Sequence, residues 1–205
     1  MIRFRECWPL IAILAALTLA GYVIFLPSAL IFSMLLLFTL YFFRDPERRV
    51  PSGAGLLVSP ADGRVLDVEE VNDSFVGSGR RLSIFMSAFD VHVNRSPFGG
   101  TVKSVRHTPG KKVVAYLKGE LSARERNRIE MSGGFNIAVE QYAGIFARRI
   151  VCYVRGGQSV AAGERIGMIK FGSRVDVVMP LNVEVKVRKG ERVTAGETVI
   201  GVVNG

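Results

Sequence analysis

The sequence predicts a mainly β domain with internal repeats, preceded by an N-terminal hydrophobic helical hairpin. Three observations lead there. No charged residue occurs from Trp8 to Phe43. Beyond that point short Val/Ile-rich runs are punctuated by glycine, the mark of short strands joined by tight turns. And the pattern G-x-x-V-x-A-G-E occurs twice, at Gly157–Glu164 and at Gly190–Glu197.

The uncharged run is too long for one straight span of about 20 residues. Pro27 divides it into Pro9–Leu26 and Ser28–Phe43, and the residue before a proline is steered away from helix, which puts a turn at Leu26. Each half makes a helix of roughly 24–27 Å. This is a hairpin that either spans twice or dips in and returns, and its anchor unit is residues 1–43. Arg3 and Arg5 flank one end and Arg44, Arg48 and Arg49 the other. The positive-inside tendency then places both ends, and the domain that follows, on the cytoplasmic face of the cell membrane. The run is longer than a signal-peptide core and has no convincing small-residue cleavage site.

The second unit, residues 44–205, carries most of the formal charge of +9. Such an excess favours an acidic partner, and beside a hydrophobic anchor that partner is an anionic membrane or lipid. Basic residues not interleaved with aromatics argue against nucleic acid. Cys7 and Cys152, without CxxC spacing, give neither a disulfide framework nor a metal site.

Strands are expected at Leu56–Ser59, Arg81–Met86, Gly134–Val139, Arg149–Val154 and Val183–Val187. A helix is expected at Ser122–Met131, where Ser122 and Glu125 fit a capping box. Pro60–Val65 and Pro97–Val102 share a second theme, Pro-x-x-Gly-x-Val. The glycine corners resemble the barrel-sandwich architecture of biotinyl and lipoyl carrier domains. A carrier presents a modifiable lysine at such a corner; here the corners hold Gly-Glu.

The segment Gly163–Asp176, containing Phe171-Gly172-Ser173, resembles the processing site of the phosphatidylserine decarboxylase family. So do Phe43–Arg48, Ser59–Gly63, Ser83–Pro97 and Ala147–Val151, in the order of that family's short bacterial or archaeal form. The resemblance implies self-cleavage at Gly172-Ser173 into residues 1–172 and 173–205, which stay associated. Ser173 becomes a covalent pyruvoyl group, and a Schiff base between that group and the substrate amine carries phosphatidylserine to phosphatidylethanolamine. It also implies His92 as catalytic base and Asp62 as the acid that orients it. Arg95 stands where longer relatives have a second histidine. Arg148 and Arg149 are candidates for the substrate phosphate, since guanidinium groups bind phosphate oxygens through paired donors. His107 reads as a turn residue. No metal is called for, and a homo-oligomer is left open. Two alternatives are an archaetidylserine-type decarboxylase and a non-catalytic, membrane-tethered barrel-sandwich adaptor, the latter needing no reaction at Ser173.

Overall fold

The computed structural model describes residues 7–110, 125–144, 150–170 and 173–203, excepting the side chain of Ser173. The chain divides into two compact units, Met1–Glu47 and Arg48–Gly205.

The first unit is two helices, α1 (Trp8–Ile24) and α2 (Leu26–Phe42), separated by one extended residue, Phe25. The break expected at Leu26–Pro27 falls earlier, because Pro27 sits within the first turn of α2. There its missing N–H costs nothing. The helices approach closely at Gly21: an added Cβ would lie 2.6 Å from Ser28 Oγ and 2.8 Å from Ala29 N. The outer surface is apolar, with Leu19, Val23, Ile24 and Met34 strongly exposed. Each helix has 17 residues, and no helix among the described residues is long and apolar enough to cross a membrane.

The second unit is mainly β. Its strands are β1 (Leu56–Val58), β2 (Gly63–Asp73), β3 (Gly77–Met86), β4 (Val93–Arg95), β5 (Gly100–Thr108), β6 (Arg126–Ser132) and β7 (Asn136–Ala143). There follow β8 (Ile150–Cys152), β9 (Ser159–Val160), β10 (Arg165–Ile169), β11 (Ser173–Pro180), β12 (Val183–Val185), β13 (Arg192–Val193) and β14 (Val199–Val203). Eight form one sheet in the order β13-β2-β3-β11-β7-β6-β5-β9. Two three-stranded sheets, β1-β14-β12 and β4-β10-β8, complete the fold. Leu82, Ile84, Ile129, Ile137, Val175 and Val177 share one fully buried core with Leu57, Ile166 and Ile200 of the smaller sheets.

The sequence repeats are a repeat in space. Gly157 and Gly190 have φ of 85° and 87°, and Gly163 and Gly196 have φ of 73° and 75°, values that glycine adopts without steric cost. Each copy grips one Pro-x-x-Gly-x-Val corner. Gly190 N bonds Val65 O and Gly196 N bonds Ser59 O; correspondingly, Gly157 N bonds Val102 O and Gly163 N bonds Ser96 O, all at 2.8 Å. The two corners also exchange bonds, Val58 N to Pro97 O at 2.8 Å and Arg95 N to Pro60 O at 2.9 Å. The halves are thus related by an approximate two-fold, and their glycine corners are structural.

The helix expected at Ser122–Met131 is not formed over its described part, residues 125–131. Residues 111–124 lie outside the described part, and Arg126–Ser132 is β6. Its periodicity is two: Asn127, Ile129 and Met131 alternate with Arg126, Arg128 and Glu130. The charged members are accommodated on the second face of the large sheet, where Arg128 lies across from Glu140 and also binds Asp73 and Glu130.

Candidate active site

Ser173 opens β11 and is paired in register with Met86, at the end of β3, and with Ala143, at the end of β7. The preceding strand, β10, belongs to a different sheet. Between Ile169, which ends β10, and Ser173 the chain passes from a three-stranded sheet into the middle of the eight-stranded one, and this change of sheet is a junction. Gly172, Arg148, Arg149 and the side chain of Ser173 lie outside the described residues.

His92 reaches the same junction from the other strand. After Met86 the chain turns through Ser87–Val91 and enters β4, which pairs with β10. Ile169 N donates to His92 O at 3.3 Å, so one end of this turn is tied four residues before Ser173 and the other end lies opposite it. The imidazole is fully buried, with Nδ1 2.9 Å from Asp90 O. A carbonyl only accepts, so Nδ1 carries the proton and Nε2 is the basic nitrogen. The Asp90 carboxylate fixes the turn itself. Its Oδ2 accepts from Ser87 N at 2.8 Å and Ser87 Oγ at 2.6 Å, and its Oδ1 accepts from Arg192 Nη2 at 2.6 Å.

Asp62 sits on the corner before β2. Its carboxylate accepts two bonds from Arg48 Nη2, at 2.9 and 2.7 Å, and one from Ala195 N at 2.7 Å. In the two-fold-related corner the corresponding residue is Gly99, where an added Cβ would lie 3.8 Å from Ala162 N. Asp62 is thus an acid that one corner carries and its counterpart lacks. The Asp90 carbonyl also bonds the His92 ring, a contact that sequence reasoning missed; the only signal was the D-x-H spacing. Arg95 is buried and donates from Nη1 to Gly163 O at 2.9 Å, fastening β4 to a repeat corner. His107 is half exposed, 3.7 Å from Glu125 Oε1, far from such burial.

Sequence reasoning also missed a buried amide chain beside His92. Asn127 Nδ2 donates to Gln141 Oε1 at 2.8 Å, Gln141 Nε2 to Asn94 Oδ1 at 2.7 Å, and Asn94 Nδ2 to Met86 Sδ at 3.7 Å. Each amide orients the next, and the chain ends at the residue paired with Ser173. A buried imidazole, apolar register neighbours and a serine at a sheet junction suit a group made from the backbone itself. Among the described residues no cluster of His, Cys, Asp and Glu could hold a metal.

The opposite face of the large sheet is ionic. One row of register partners is Arg126, Tyr142, Arg174 and Phe85; the next is Arg106, Arg128, Glu140, Asp176 and Ser83. Arg174 forks onto Asp176 at 2.6 and 2.9 Å. Burial pushes the Asp176 carboxyl up, against the opposing pull of Arg174. Arg128 binds Asp73, Glu130 and Glu140 at 2.7–2.9 Å. Burial raises the Asp73 carboxyl, but Arg128 and the Phe75 and Val76 amides outweigh it and hold the group at about 2.

Residues 35–201 match the family model described as phosphatidylserine decarboxylase. The chain is 44% identical over 185 residues to a phosphatidylserine decarboxylase proenzyme of Chlorobium phaeobacteroides, covering 87% of each chain. It is 44% identical over 201 residues to a proenzyme of the same name from Symbiobacterium thermophilum, covering 96% of this chain and 94% of the relative. To that of Chlorobium limicola it is 48% identical over 178 residues, covering 85% and 84%.

Proposed function

The chain belongs to the phosphatidylserine decarboxylase family, and from that premise we propose that it cleaves itself at Gly172-Ser173 with His92 as base and carries a pyruvoyl group made from Ser173. It is a decarboxylase that converts phosphatidylserine to phosphatidylethanolamine. The observation that carries the proposal is the double tie at the sheet junction: Met86 pairs with Ser173, and His92 O, six residues on, receives Ile169 N.

In the proposed maturation His92 takes the proton of the Ser173 hydroxyl as its oxygen attacks the carbonyl of residue 172. The amide becomes an ester, elimination frees residues 1–172 as a carboxylate, and hydrolysis of the remaining dehydroalanine releases ammonia. Asp90 supports this by holding Nδ1–H, so that the basic nitrogen faces away from its own turn. Asp62, itself held by Arg48 and the Ala195 amide, is proposed as the acid that orients the His92 base. Once present, the pyruvoyl carbonyl supplies an electron sink for the pair left by carbon dioxide. Arg148 and Arg149 are proposed to meet the substrate phosphate.

Residues 173–205 stay associated with the larger piece in this reading because β11 runs between β3 and β7, β13 joins β2, and β14 joins β1. The apolar hairpin with its basic flanks is proposed to hold the enzyme at the cytoplasmic face of the cell membrane. A denaturing gel of purified wild type, run beside Ser173→Ala, tests the proposal. Two fragments and decarboxylation are expected from wild type, one inactive chain from the variant; an active, uncut Ser173→Ala chain would refute it.

A further inference from the structure

We propose that the ionic face of the large sheet carries a binding site for a phosphate group, formed by Arg81, Arg106 and Arg126. This goes beyond the decarboxylase reading and shares no residue with the catalytic set proposed above. The three arginines come from β3, β5 and β6 and line a polar cavity of about 420 Å³ together with Asn72, Ser74 and Arg128.

The observation that points to a ligand is how unevenly the arginines are used. Arg128 is saturated, bonded to Asp73, Glu130 and Glu140 at 2.7–2.9 Å. The three around it are not. Arg106 approaches Glu130 only to 3.9 Å, and Arg126 approaches Glu140 only to 3.6 Å while also meeting the neutral Tyr142 hydroxyl. Arg81 reaches Glu69 at 3.3 Å and Asp176 at 3.9 Å. Glu140 is already engaged by Arg128 and by the Tyr142 hydroxyl, and Glu130 by Arg128 and Ser104. The acids are therefore spent inside the sheet face while guanidinium donors remain around its cavity.

Four arginines stand against Asp73 and Glu140 in the lining, a positive excess in a concave, partly desolvated place where charge interactions are strengthened. A phosphate offers several acceptor oxygens to guanidinium forks arriving from three strands, which a planar carboxylate cannot match. Asn72 and Ser74 add neutral hydrogen-bonding groups. A second cavity, of about 670 Å³ and lined by Leu66 and Phe85 among others, shares Arg81. The phosphate could therefore belong to a free anion or to a lipid headgroup, and the test separates the two.

Full-length, detergent-solubilised enzyme is titrated calorimetrically with inorganic phosphate and, separately, with dihexanoyl phosphatidic acid below its micellar concentration, both at matched ionic strength. Wild type is expected to bind at least one probe saturably, and Arg106→Gln/Arg126→Gln about tenfold or more weaker. Arg155→Gln, which removes an exposed charge elsewhere, leaves binding unchanged. Binding of inorganic phosphate identifies a free-anion site; binding of the phosphatidic acid alone identifies a headgroup site. Saturation by neither probe, or equal weakening in Arg155→Gln, overturns the proposal. Arg106 and Arg126 are 68% and 38% exposed, so the double variant folds, and its thermal unfolding is recorded alongside.

Discussion

The Nδ1 atom of His92 lies 2.9 Å from the carbonyl oxygen of Asp90, two residues earlier in the same turn. This one contact joins a backbone group to a ring, and it leaves Nε2 of the buried imidazole for the proposed role of base. The turn's rigidity comes from the side chain of the residue whose main chain holds the ring.

Replacing His92 by alanine is expected to leave a single uncut chain, with self-processing slowed by roughly 10²–10⁴-fold. A gel time course reads this directly. Unfolding monitored in parallel separates loss of the base from loss of the fold. Processing at the wild-type rate would remove His92 from the mechanism.

Asp90 and Arg192 are bonded to each other, yet their replacements should differ. Asp90→Ala strands the Ser87 amide and hydroxyl, a loss of roughly 1–3 kcal/mol, and loosens the His92 turn, so processing slows. Arg192 is 70% exposed at its side chain. Arg192→Gln should cost below about 1 kcal/mol and leave processing near normal. Chemical denaturation with the same gel assay compares them.

Acid stability should depend on Asp73. Its carboxyl, held at about 2 in the folded protein, titrates near 3.9 when unfolded. The stabilisation is therefore present above about pH 4 and lost as pH falls towards 2. Solvent screening leaves it on the order of 1–2 kcal/mol. Asp73→Asn should be less stable than wild type at pH 7 and converge with it near pH 2. Parallel stability curves across that range would contradict the assignment.

Gly167 lies under the amide chain. A methyl group there would meet Val151 O at 2.6 Å and Gln141 Nε2 at 2.7 Å. Gly167→Ala is expected to cost roughly 1–3 kcal/mol through overpacking and to disturb the Gln141–Asn94 bond. Alanine at Gly99, where the nearest atom is 3.8 Å away, is the mild comparison, and thermal unfolding ranks the two.

Much of this was legible in the sequence because it rests on local chemistry. Glycine corners were legible at Gly157, Gly163, Gly190 and Gly196, and alternation marked Val183–Val187, of which Val183–Val185 forms β12. The uncharged run announced the helical pair. What escaped notice rests on long-range pairing. Arg126–Glu130 looks like a charged helix until the partners in β5 and β7 supply opposite charges at a two-residue period. Asp90 acts on His92 through its carbonyl, which every residue has, so residue type says little. The Asn127–Gln141–Asn94 chain joins three strands, and no local pattern links them. Ser173 and His92 were legible only through family resemblance, because their places in the fold depend on strands of two sheets, β10 and β11, far from any local pattern.

The claim beneath all of these is that the residue at 173 does not remain a serine. Intact-mass measurement of the purified wild-type enzyme, with a carbonyl-reactive label, tests it most directly. The account predicts two species, one ending at Gly172 and one comprising residues 173–205 with a labelled, amine-free terminus. An active preparation of uncut chain carrying an unlabelled serine at 173 would contradict it.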